Sequence, residues 1–294
     1  MLPEFELVQP DHLEEATRLL FELGAKGCPL AGGTDVLVSM KGKGFEPEVL
    51  IDLKKIGELR GIAPEGDRGL SIGATTTLHE VETSKRVRQI CPVLAETVGQ
   101  IGSMQIRNRG TIGGNVGNGS PASDSARALL ILDAEMEVAS ASGTRIVPIE
   151  SFFVGPGETA IRRGEILRRI LVRALKPDTR TASIKYGPRR AMDCAIVSVA
   201  VALAFDPSGA CRVARIALGS VAPTPIRARR AEGLLVGQTI TQRHLEKAAA
   251  AAQTEVQPIT DLRASAGYRA HMVEVLVKRA LQNVLEEHRT ASRM

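Results

Sequence analysis

Two glycine-rich segments carry the residue types in this chain that could bind a ligand. The first reads Ala31-Gly32-Gly33-Thr34-Asp35, and the second, much further along the chain, reads Thr111-Ile112-Gly113-Gly114-Asn115. Glycine lets backbone amides turn toward a ligand without a Cβ in the way, and successive amides form a concave site for an anion. Two such segments with Thr, Asp and Asn side chains suit a ligand that has two phosphates and several hydroxyls, which describes a dinucleotide.

Neither segment matches a common nucleotide-binding signature. The glycines at positions 114, 117 and 119 stand in the reverse order of the G-x-G-x-x-G found in Rossmann folds, and the chain has no G-x-x-x-x-G-K-S/T phosphate loop. The residues alone therefore leave two interpretations open. Either the two segments together bind a pyrophosphate, or both are tight turns with only a structural role.

The composition argues against several classes of protein. Lys and Arg number 38 against 33 for Asp and Glu, and aromatic residues make up only 3% of the chain, with no Trp. A nucleic-acid-binding protein usually clusters its basic residues and interleaves aromatics, so no nucleic acid is expected as a partner. The four cysteines, at positions 28, 91, 194 and 211, are isolated and form no CxxC, which argues against a metal site.

The chain shows no sign of export or of membrane insertion. No apolar run reaches the length of a membrane-spanning helix, and the acidic start Met1-Leu2-Pro3-Glu4-Phe5-Glu6 lacks a signal-peptide pattern. We therefore expect a cytoplasmic protein without a membrane span.

The first part of the chain predicts helices mixed with short strands. Strands are expected over 29–31, 49–53, 69–74, 135–139, 145–149 and 165–172, and helices over 13–23, 92–102 and 124–132. Asp11 is expected to cap the first helix as part of a capping box, and Thr77 with Glu80 forms a second capping box. Ser123 or Asp124 is expected to cap the helix that follows the second glycine segment.

The last third of the chain has a different order of elements. Antiparallel strands are expected over 195–205 and 213–221, joined by a turn at 206–209, and helices over 226–235, 244–254 and 268–288. Strands followed by helices predict an α+β unit. Because Lys176-Pro177-Asp178 interrupts the pattern before it, we expect two domains, 1–176 and 177–294, in a protein of the α+β class.

Several motifs together resemble the FAD-binding medium subunit of molybdenum hydroxylases, a family that includes the flavoproteins of xanthine, aldehyde, nicotinate and carbon monoxide dehydrogenases. The two glycine segments are similar to the paired FAD motifs of that subunit. Three further segments look like the same family: Gln105-Ile106-Arg107-Asn108, Ser120-Pro121-Ala122-Ser123-Asp124, and Lys185-Tyr186-Gly187-Pro188-Arg189-Arg190-Ala191-Met192-Asp193-Cys194-Ala195. The resemblance covers nearly the whole chain, in the expected order and spacing.

The resemblance implies a fold and a place for the cofactor. An N-terminal FAD-binding domain of two α+β subdomains, of the PCMH/VAO type, would precede a C-terminal domain with a small antiparallel sheet and a helical bundle. FAD would lie between the subdomains, with its pyrophosphate on the backbone amides of Gly32, Gly33, Thr34 and Asp35 and on those of Gly113, Gly114 and Asn115. The side chains of Thr34, Thr111 and Asn115 would donate hydrogen bonds to phosphate or ribityl oxygens.

Further positions carry over from the family. Asp124 would accept a hydrogen bond from a cofactor hydroxyl, as an alternative or an addition to capping its helix. Lys185 matches a lysine near the flavin ring, where a cation favours reduced, anionic flavin, and an exposed strand lysine is the alternative interpretation. Arg189 is expected near the flavin edge. The remaining cofactor-binding positions, each equally consistent with a core role, are Pro29, Leu30, Ala31, Val36, Ile101 and Leu167. The family implies no catalytic residue and no metal ligand in this chain.

The implied role is electron transfer within a larger enzyme. Substrate would be oxidised at a molybdopterin cofactor on a large subunit, and electrons would pass through [2Fe–2S] clusters on a small subunit to FAD on this chain. An external acceptor such as NAD or a quinone would then take them. The expected assembly is a dimer of heterotrimers.

Departures from relatives refine this expectation. The medium subunit of 4-hydroxybenzoyl-CoA reductase carries an inserted iron–sulfur loop, and the missing cysteine cluster argues against that branch. Thr34-Asp35 stands where carbon monoxide dehydrogenases tend to have His-Ser, which favours the broader dehydrogenase group. Two alternatives stay open: a stand-alone flavin oxidoreductase of the same FAD-binding fold, and a binding module without enzymatic activity.

Overall fold

A computed structural model describes residues 2–42, 44–66, 69–189 and 191–291, so Arg190 of the third motif lies outside the described residues. The strands are β1 (Glu6–Val8), β2 (Gly27–Leu30), β3 (Val49–Asp52), β4 (Ile62–Glu65), β5 (Gly69–Gly73), β6 (Glu135–Ser140), β7 (Gly143–Pro148), β8 (Phe153–Gly155), β9 (Glu158–Thr159), β10 (Ile166–Val172), β11 (Thr179–Tyr186), β12 (Val197–Phe205), β13 (Cys211–Gly219) and β14 (Ile226–Arg227). The helices are α1 (Leu13–Leu23), α2 (Val36–Gly42), α3 (Leu78–Thr83), α4 (Lys85–Ile90), α5 (Pro92–Gly99), α6 (Met104–Arg109), α7 (Ile112–Gly117), α8 (Asp124–Ile131), α9 (Arg229–Gly233), α10 (Gln242–Gln253) and α11 (Ala266–Ala291).

The first half of the chain forms two subdomains, each built on its own sheet. The smaller sheet has the order β1-β3-β2 with parallel pairing. The larger sheet has the order β4-β5-β10-β6-β7 with antiparallel pairing. Helices α3, α4, α5, α7 and α8 supply the other side of the core of the larger sheet, in which Leu70, Ile72, Leu94, Leu129 and Ile170 are almost completely buried.

The second half of the chain forms an antiparallel sheet in the order β11-β12-β13-β14, covered on one face by α11 and α9, with α10 packed against these two helices. Side chains in a strand alternate between the two faces of the sheet. On β12, the large residues Val199, Val201 and Leu203 face the helices of their own domain, whereas Ala200 and Ala202 belong to the core of the first half. Both faces of this strand are therefore buried, and one of them is lined by small side chains.

Helix α8 uses the small-residue face of that sheet. It packs against β12 and β13, and all eight of its residues are buried. The segment before it also contacts the sheet, because the amide of Ser220 donates to the carbonyl of Pro121 at 2.8 Å. The helix thus joins the two halves of the chain.

The α+β class is confirmed, and so are several of the predicted local elements. The capping box of Thr77 and Glu80 is present, the hairpin of β6 and β7 forms, and β12 pairs antiparallel with β13. Gly24 ends α1, as predicted.

Other local predictions are wrong. His12, in an extended conformation, takes the cap position of α1, so Asp11 lies one residue too early to cap it. Helix α5 ends at Gly99 because the chain turns there toward Gly102, whose φ of +55° does not continue a helix. The predicted helix over 226–235 begins later, because Ile226 and Arg227 pair with β13 as strand β14. At the start of α8, Ser123 takes the cap position as predicted, but its side chain makes no hydrogen bond to the helix.

A first prediction concerns the capping box of α3. The amide of Glu80 donates to Thr77 Oγ1 at 3.2 Å, and the amide of Thr77 donates to Glu80 Oε2 at 2.8 Å. Thr77→Ala removes one arm of the box and should lower the free energy of unfolding by about 1 kcal/mol in urea titrations. Thr83→Ala in the same helix, where the exposed hydroxyl bonds only the carbonyl of His79, is the matched control and should change it little. Equal losses in both variants would contradict the assignment.

A second prediction concerns pH. Glu137 on β6 accepts hydrogen bonds from Arg168 Nη1 and Arg169 Nε, both at 2.9 Å. Burial raises the pKa of this carboxyl, but the bonds from Arg169 and Arg168 outweigh it, so the pKa lies below its ordinary value. A lowered pKa in the folded state adds stability above the unfolded pKa of about 4.3, and this stability is lost as the pH falls through the folded value.

Glu137→Gln should therefore reduce the slope of unfolding free energy against pH in the acid range. At neutral pH the variant should be less stable by on the order of 2 kcal/mol, because the partly buried arginines lose their charged acceptor. Urea titrations at a series of pH values measure both effects, and parallel curves for the two proteins would disprove the linkage.

Candidate functional site

The first glycine segment is a loop between β2 and α2. Below it lies a small apolar cluster of Cys28, Leu30, Met40 and Leu50, with Val36 and Leu37 packed against it. Gly33 has a φ of +77°, a conformation that favours glycine. Among the described residues, none accepts a hydrogen bond from the amides of Gly32, Gly33, Thr34 or Asp35. Four successive amides of a partly buried loop are therefore available to an outside acceptor.

The second glycine segment is not an open loop but the helix α7. Thr111 caps it, since its Oγ1 accepts from the amide of Gly114 at 3.0 Å. The amide of Gly113 donates to the carbonyl of Ala74 at 2.9 Å, and that of Asn115 to the carbonyl of Thr111 at 3.0 Å. The expectation that these three amides hold a pyrophosphate therefore differs from the structure, in which each already has an acceptor. The first turn of α7 and its contact with Ala74 use all three amides.

Close backbone packing explains two of the glycines. A Cβ on Gly113 would lie 2.5 Å from the Cβ of Ala74, and one on Gly32 would lie 2.2 Å from the carbonyl oxygen of Arg109. Gly32 thus touches the residues just before α7, so the two segments lie in contact. A hydrogen bond of 3.3 Å from Asn118 Nδ2 to Asp35 Oδ1 also joins them.

Asn115 continues this line of contacts away from the first loop. Its Oδ1 accepts from Ser123 Oγ at 2.9 Å and from Ser125 Oγ at 2.6 Å. In this arrangement the amide oxygen faces the two serines. Its Nδ2, for which the structure records no acceptor among the described residues, is thereby left to donate elsewhere.

Asp124, between the two serines, is held by two cations. Its Oδ1 accepts from Arg127 Nη1 at 2.5 Å, and its Oδ2 from Lys185 Nζ at 2.7 Å. Lys185 Nζ also donates to the carbonyls of Gln100 and Asp193, each at 3.1 Å. Lys185 is therefore not an exposed strand lysine, and the carboxylate of Asp124 caps no amide of its helix. Burial lowers the pKa of the Arg127 guanidinium, against the opposing effect of the Asp124 carboxylate.

The apolar candidates occupy different surroundings. Leu30 and Val36 flank the first loop, Ile101 directly follows Gln100, and Leu167 lies in the core beneath α7. Pro29 is exposed on β2. The structure thus places all of them in or beside the segments described above, with Leu167 the most deeply packed. Arg189 is exposed, and its side chain donates to the carbonyl of Met192.

Several residues of this region were missed by the analysis of the sequence. A cavity of about 130 Å³ beside the first loop is lined by Ala31, Lys54, Arg60, Thr75, Thr77, Asn108, Arg109 and Thr111. Lys54 Nζ lies 3.3 Å from the carbonyl of Ala31 and 2.6 Å from Asp52 Oδ1. Arg127 was missed as well, although its place one helical turn after Asp124 was a usable signal.

Other kinds of site find no support in the part of the chain that the structure describes. No group of three or more His, Cys, Asp or Glu side chains there could hold a metal ion. Gly69–Gly73 has the G-x-S-x-G pattern of a hydrolase nucleophile, but it forms strand β5 rather than a strand-to-helix turn, and Ser71 is buried. None of the described helices is long and apolar enough to cross a membrane.

Comparison with known proteins gives matches over nearly the whole chain. Residues 3–172 match the model of the FAD binding domain in molybdopterin dehydrogenase, and residues 182–284 match that of the CO dehydrogenase flavoprotein C-terminal domain. The chain is 37% identical to the carbon monoxide dehydrogenase medium chain of Hydrogenophaga pseudoflava, over 95% of this chain and 96% of that one. It is 34% identical to the xanthine dehydrogenase FAD-binding subunit of Escherichia coli O157:H7, over 87% and 88%.

Solved structures agree with the sequence matches. The carbon monoxide dehydrogenase of Hydrogenophaga pseudoflava that lacks the Mo-pyranopterin moiety superimposes with a TM-score of 0.94, covering 97% of this chain and 99% of that chain. Quinoline 2-oxidoreductase from Pseudomonas putida 86, at 28% identity, gives a TM-score of 0.91 over 98% and 99%. On these grounds, the chain belongs to the family of FAD-binding medium subunits of molybdenum hydroxylases, which are components of oxidoreductases.

Proposed function

We propose that this chain holds FAD along one continuous line of residues and relays electrons from iron–sulfur clusters on a partner subunit to an external acceptor. The line runs from the loop Gly32–Asp35 through Asn115 to Asp124 and Lys185. The observation that carries the proposal is the row of four loop amides for which the described residues supply no acceptor, on a loop that touches the backbone of Arg109 just before α7. FAD, when bound, supplies a group that takes up electrons and passes them on.

The loop amides are the proposed site of the pyrophosphate. Unpaired amides that converge on one concave surface favour an anion, and no side chain of Gly32 or Gly33 stands in the way. Thr34 adds a hydroxyl, which donates to Asp35 Oδ2 at 3.2 Å in the structure and could turn to a phosphate oxygen instead. Lys54 and Arg109 bring positive charge to the same side of the loop.

The second glycine motif has a different task in this proposal. Gly113 allows close packing on Ala74, and Gly114 and Gly117 keep the exposed side of α7 free of side chains, since a Cβ on Gly117 would meet nothing within 4 Å. A flat ligand can therefore approach the helix backbone. Asn115 donates from this surface through Nδ2, while its Oδ1 faces Ser123 and Ser125. Thr111 caps the start of the helix.

Lys185 and Asp124 are the proposed end of the line. Both side chains are only 8% exposed, so a charge here acts through little water and is weakly screened. Asp124 can accept from a hydroxyl only by sharing oxygens that already bind Arg127 and Lys185. Electron relay needs no general acid and no nucleophile on this chain, and none is proposed.

The relatives' names support a multi-subunit assembly. They are a medium chain, an FAD-binding subunit and, in Paenarthrobacter nicotinovorans, a subunit of the 6-hydroxypseudooxynicotine dehydrogenase complex. We propose that a large molybdenum-binding subunit and a small [2Fe–2S] subunit join this chain in a dimer of heterotrimers. NAD or a quinone is the proposed acceptor. Similarities of 31–37% to dehydrogenases of several substrates do not single out one of them.

The proposed role of the loop Gly32–Asp35 can be tested by adding a methyl group at Gly32. In Gly32→Ala the new Cβ would lie 2.2 Å from the carbonyl oxygen of Arg109, which is backbone and cannot move aside. The purified variant should lose bound FAD and about 1–3 kcal/mol of stability from the misfit. Gly267→Ala in α11, where a Cβ meets nothing within 4 Å, is the matched control and should retain both.

Asn115→Asp separates binding from folding if Gly32→Ala is too unstable. The aspartate keeps an oxygen for Ser123 and Ser125 but replaces the Nδ2 donor with a second negative oxygen. FAD affinity, measured by titrating the apoprotein, should fall at least about tenfold, which corresponds to 1.4 kcal/mol, with little change in unfolding. Unchanged affinity in both variants would place the cofactor elsewhere.

The relay is tested by purification from the native host. A tagged chain should bring down one molybdenum-containing and one iron–sulfur subunit, and the isolated chain with bound FAD should oxidise no organic substrate when only a dye acceptor is supplied. Substrate turnover by the isolated chain would instead support a stand-alone flavin oxidoreductase. A purified chain without any flavin spectrum would support a binding module.

A further inference from the structure

Four buried charged side chains meet where the two halves of the chain join. They are Arg127 and Asp124 from α8, Lys185 from β11 and Asp193 from the loop after β11, and we call them the interdomain charge cluster. Their side chains are 0%, 8%, 8% and 4% exposed, in that order. The cluster lies at one end of α8 and is continuous with the line of residues proposed to hold FAD.

Each member of the cluster is fixed by more than one contact. Arg127 donates to Asp124, to Gln100 Oε1 at 2.7 Å and to Ser183 Oγ at 3.0 Å. Asp193 lies 3.6 Å from Lys185 Nζ, and a Cβ on Gly187 would lie 1.8 Å from Asp193 Oδ2, so the carboxylate packs on the bare backbone of Gly187. Because no member can move freely, a change in one charge cannot be absorbed by rearrangement alone.

The cluster contains two positive and two negative groups. Arg127 carries a guanidinium cation, and Lys185 Nζ has the carboxylates of Asp124 and Asp193 within 4 Å. The positive charge of Lys185 is therefore balanced by the two carboxylates. A lysine proposed to lie near a flavin would otherwise be expected to act as an isolated cation. The electrostatic field that the cluster produces around itself depends on Arg127 and Asp193 as well as on Lys185.

We propose that Arg127 and Asp193 are positioning residues that set the net charge around Lys185 and thereby the reduction potential of the flavin. This inference rests on the proposed function, since it requires FAD beside Lys185. A group that takes up electrons gains negative charge, so a nearby positive charge raises its reduction potential and a negative charge lowers it. In a buried site these effects are larger than in water because the effective dielectric constant is lower.

The proposal makes opposite predictions for two variants. Arg127→Met removes a positive charge while filling a similar volume, so the flavin midpoint potential should fall. Asp193→Asn removes a negative charge and keeps the shape that packs on Gly187, so the potential should rise. The double variant restores the balance of charge, and its potential should return toward that of the unmodified protein. A purely structural role would not give shifts of opposite sign that cancel.

A matched control lies at the other end of the same helix. Arg227 is a buried arginine whose Nη1 donates to the carbonyl of Leu130 at 3.1 Å and which pairs with Glu232. Leu130 lies six residues, about 9 Å, further along α8 than Asp124. Arg227→Met should lower stability as Arg127→Met does, but it should shift the potential far less.

The measurement is a spectroelectrochemical titration of the purified holoprotein, with flavin content recorded for each variant. Titrations at neutral and at alkaline pH are compared because Glu96 on α5, whose pKa burial raises, faces Arg127 and could take up a proton in its absence. Opposite shifts that cancel in the double variant support the inference. Full flavin content with the same potential in all four proteins overturns it, whereas absence of flavin from the unmodified protein overturns the proposed function instead.

Discussion

Burial of helix α8 between two sheets is the constraint on which the rest of the structure depends. The helix has the core of the first half on one side and the alanine face of β12 on the other. A helix that is buried all round must pair whatever charge it carries, because an unpaired charge in such a place costs several kcal/mol. Asp124 and Arg127 find their partners across the boundary between the halves, in Lys185 and Ser183. The Asp124–Lys185 end of the proposed site therefore forms only when both halves are folded together.

This constraint changes how the second glycine motif is understood. Its amides serve the protein itself, through a helical turn and a bond to Ala74, whereas the amides of the first loop find no acceptor among the residues that the structure describes. The two motifs look equivalent in sequence because glycine serves close packing of backbones as well as it serves ligand approach. They differ in structure because Thr111 directly caps helix α7, whereas Ala31–Asp35 forms a loop and helix α2 begins only at Val36.

Much of the fold could be predicted from local pattern. The alternation of Val and Ala along 197–204 marks a strand buried on both faces, and the Thr77–Glu80 capping box marks the start of α3. The errors occur where long-range contacts decide. Pairing with β13 makes Ile226 and Arg227 a strand, and the side chain of Ser123 bonds Asn115 rather than its own helix. For the same reason the sequence suggested Lys185 as a site residue but not its pairing with Asp124, since a separation of 61 positions carries no periodic signal.

The alternating face of β12 has a consequence for recombining members of this family. Ala200 and Ala202 belong to the core of the first half and lie on β12, against which α8 packs, so a bulkier residue at either position would press on the helix that carries Asp124. A chimera that joins the first half of one relative to the second half of another must therefore match side-chain sizes across this seam. Compatibility between the two halves therefore depends on the small side chains of Ala200 and Ala202, and not on the glycine motifs by which the family is recognised.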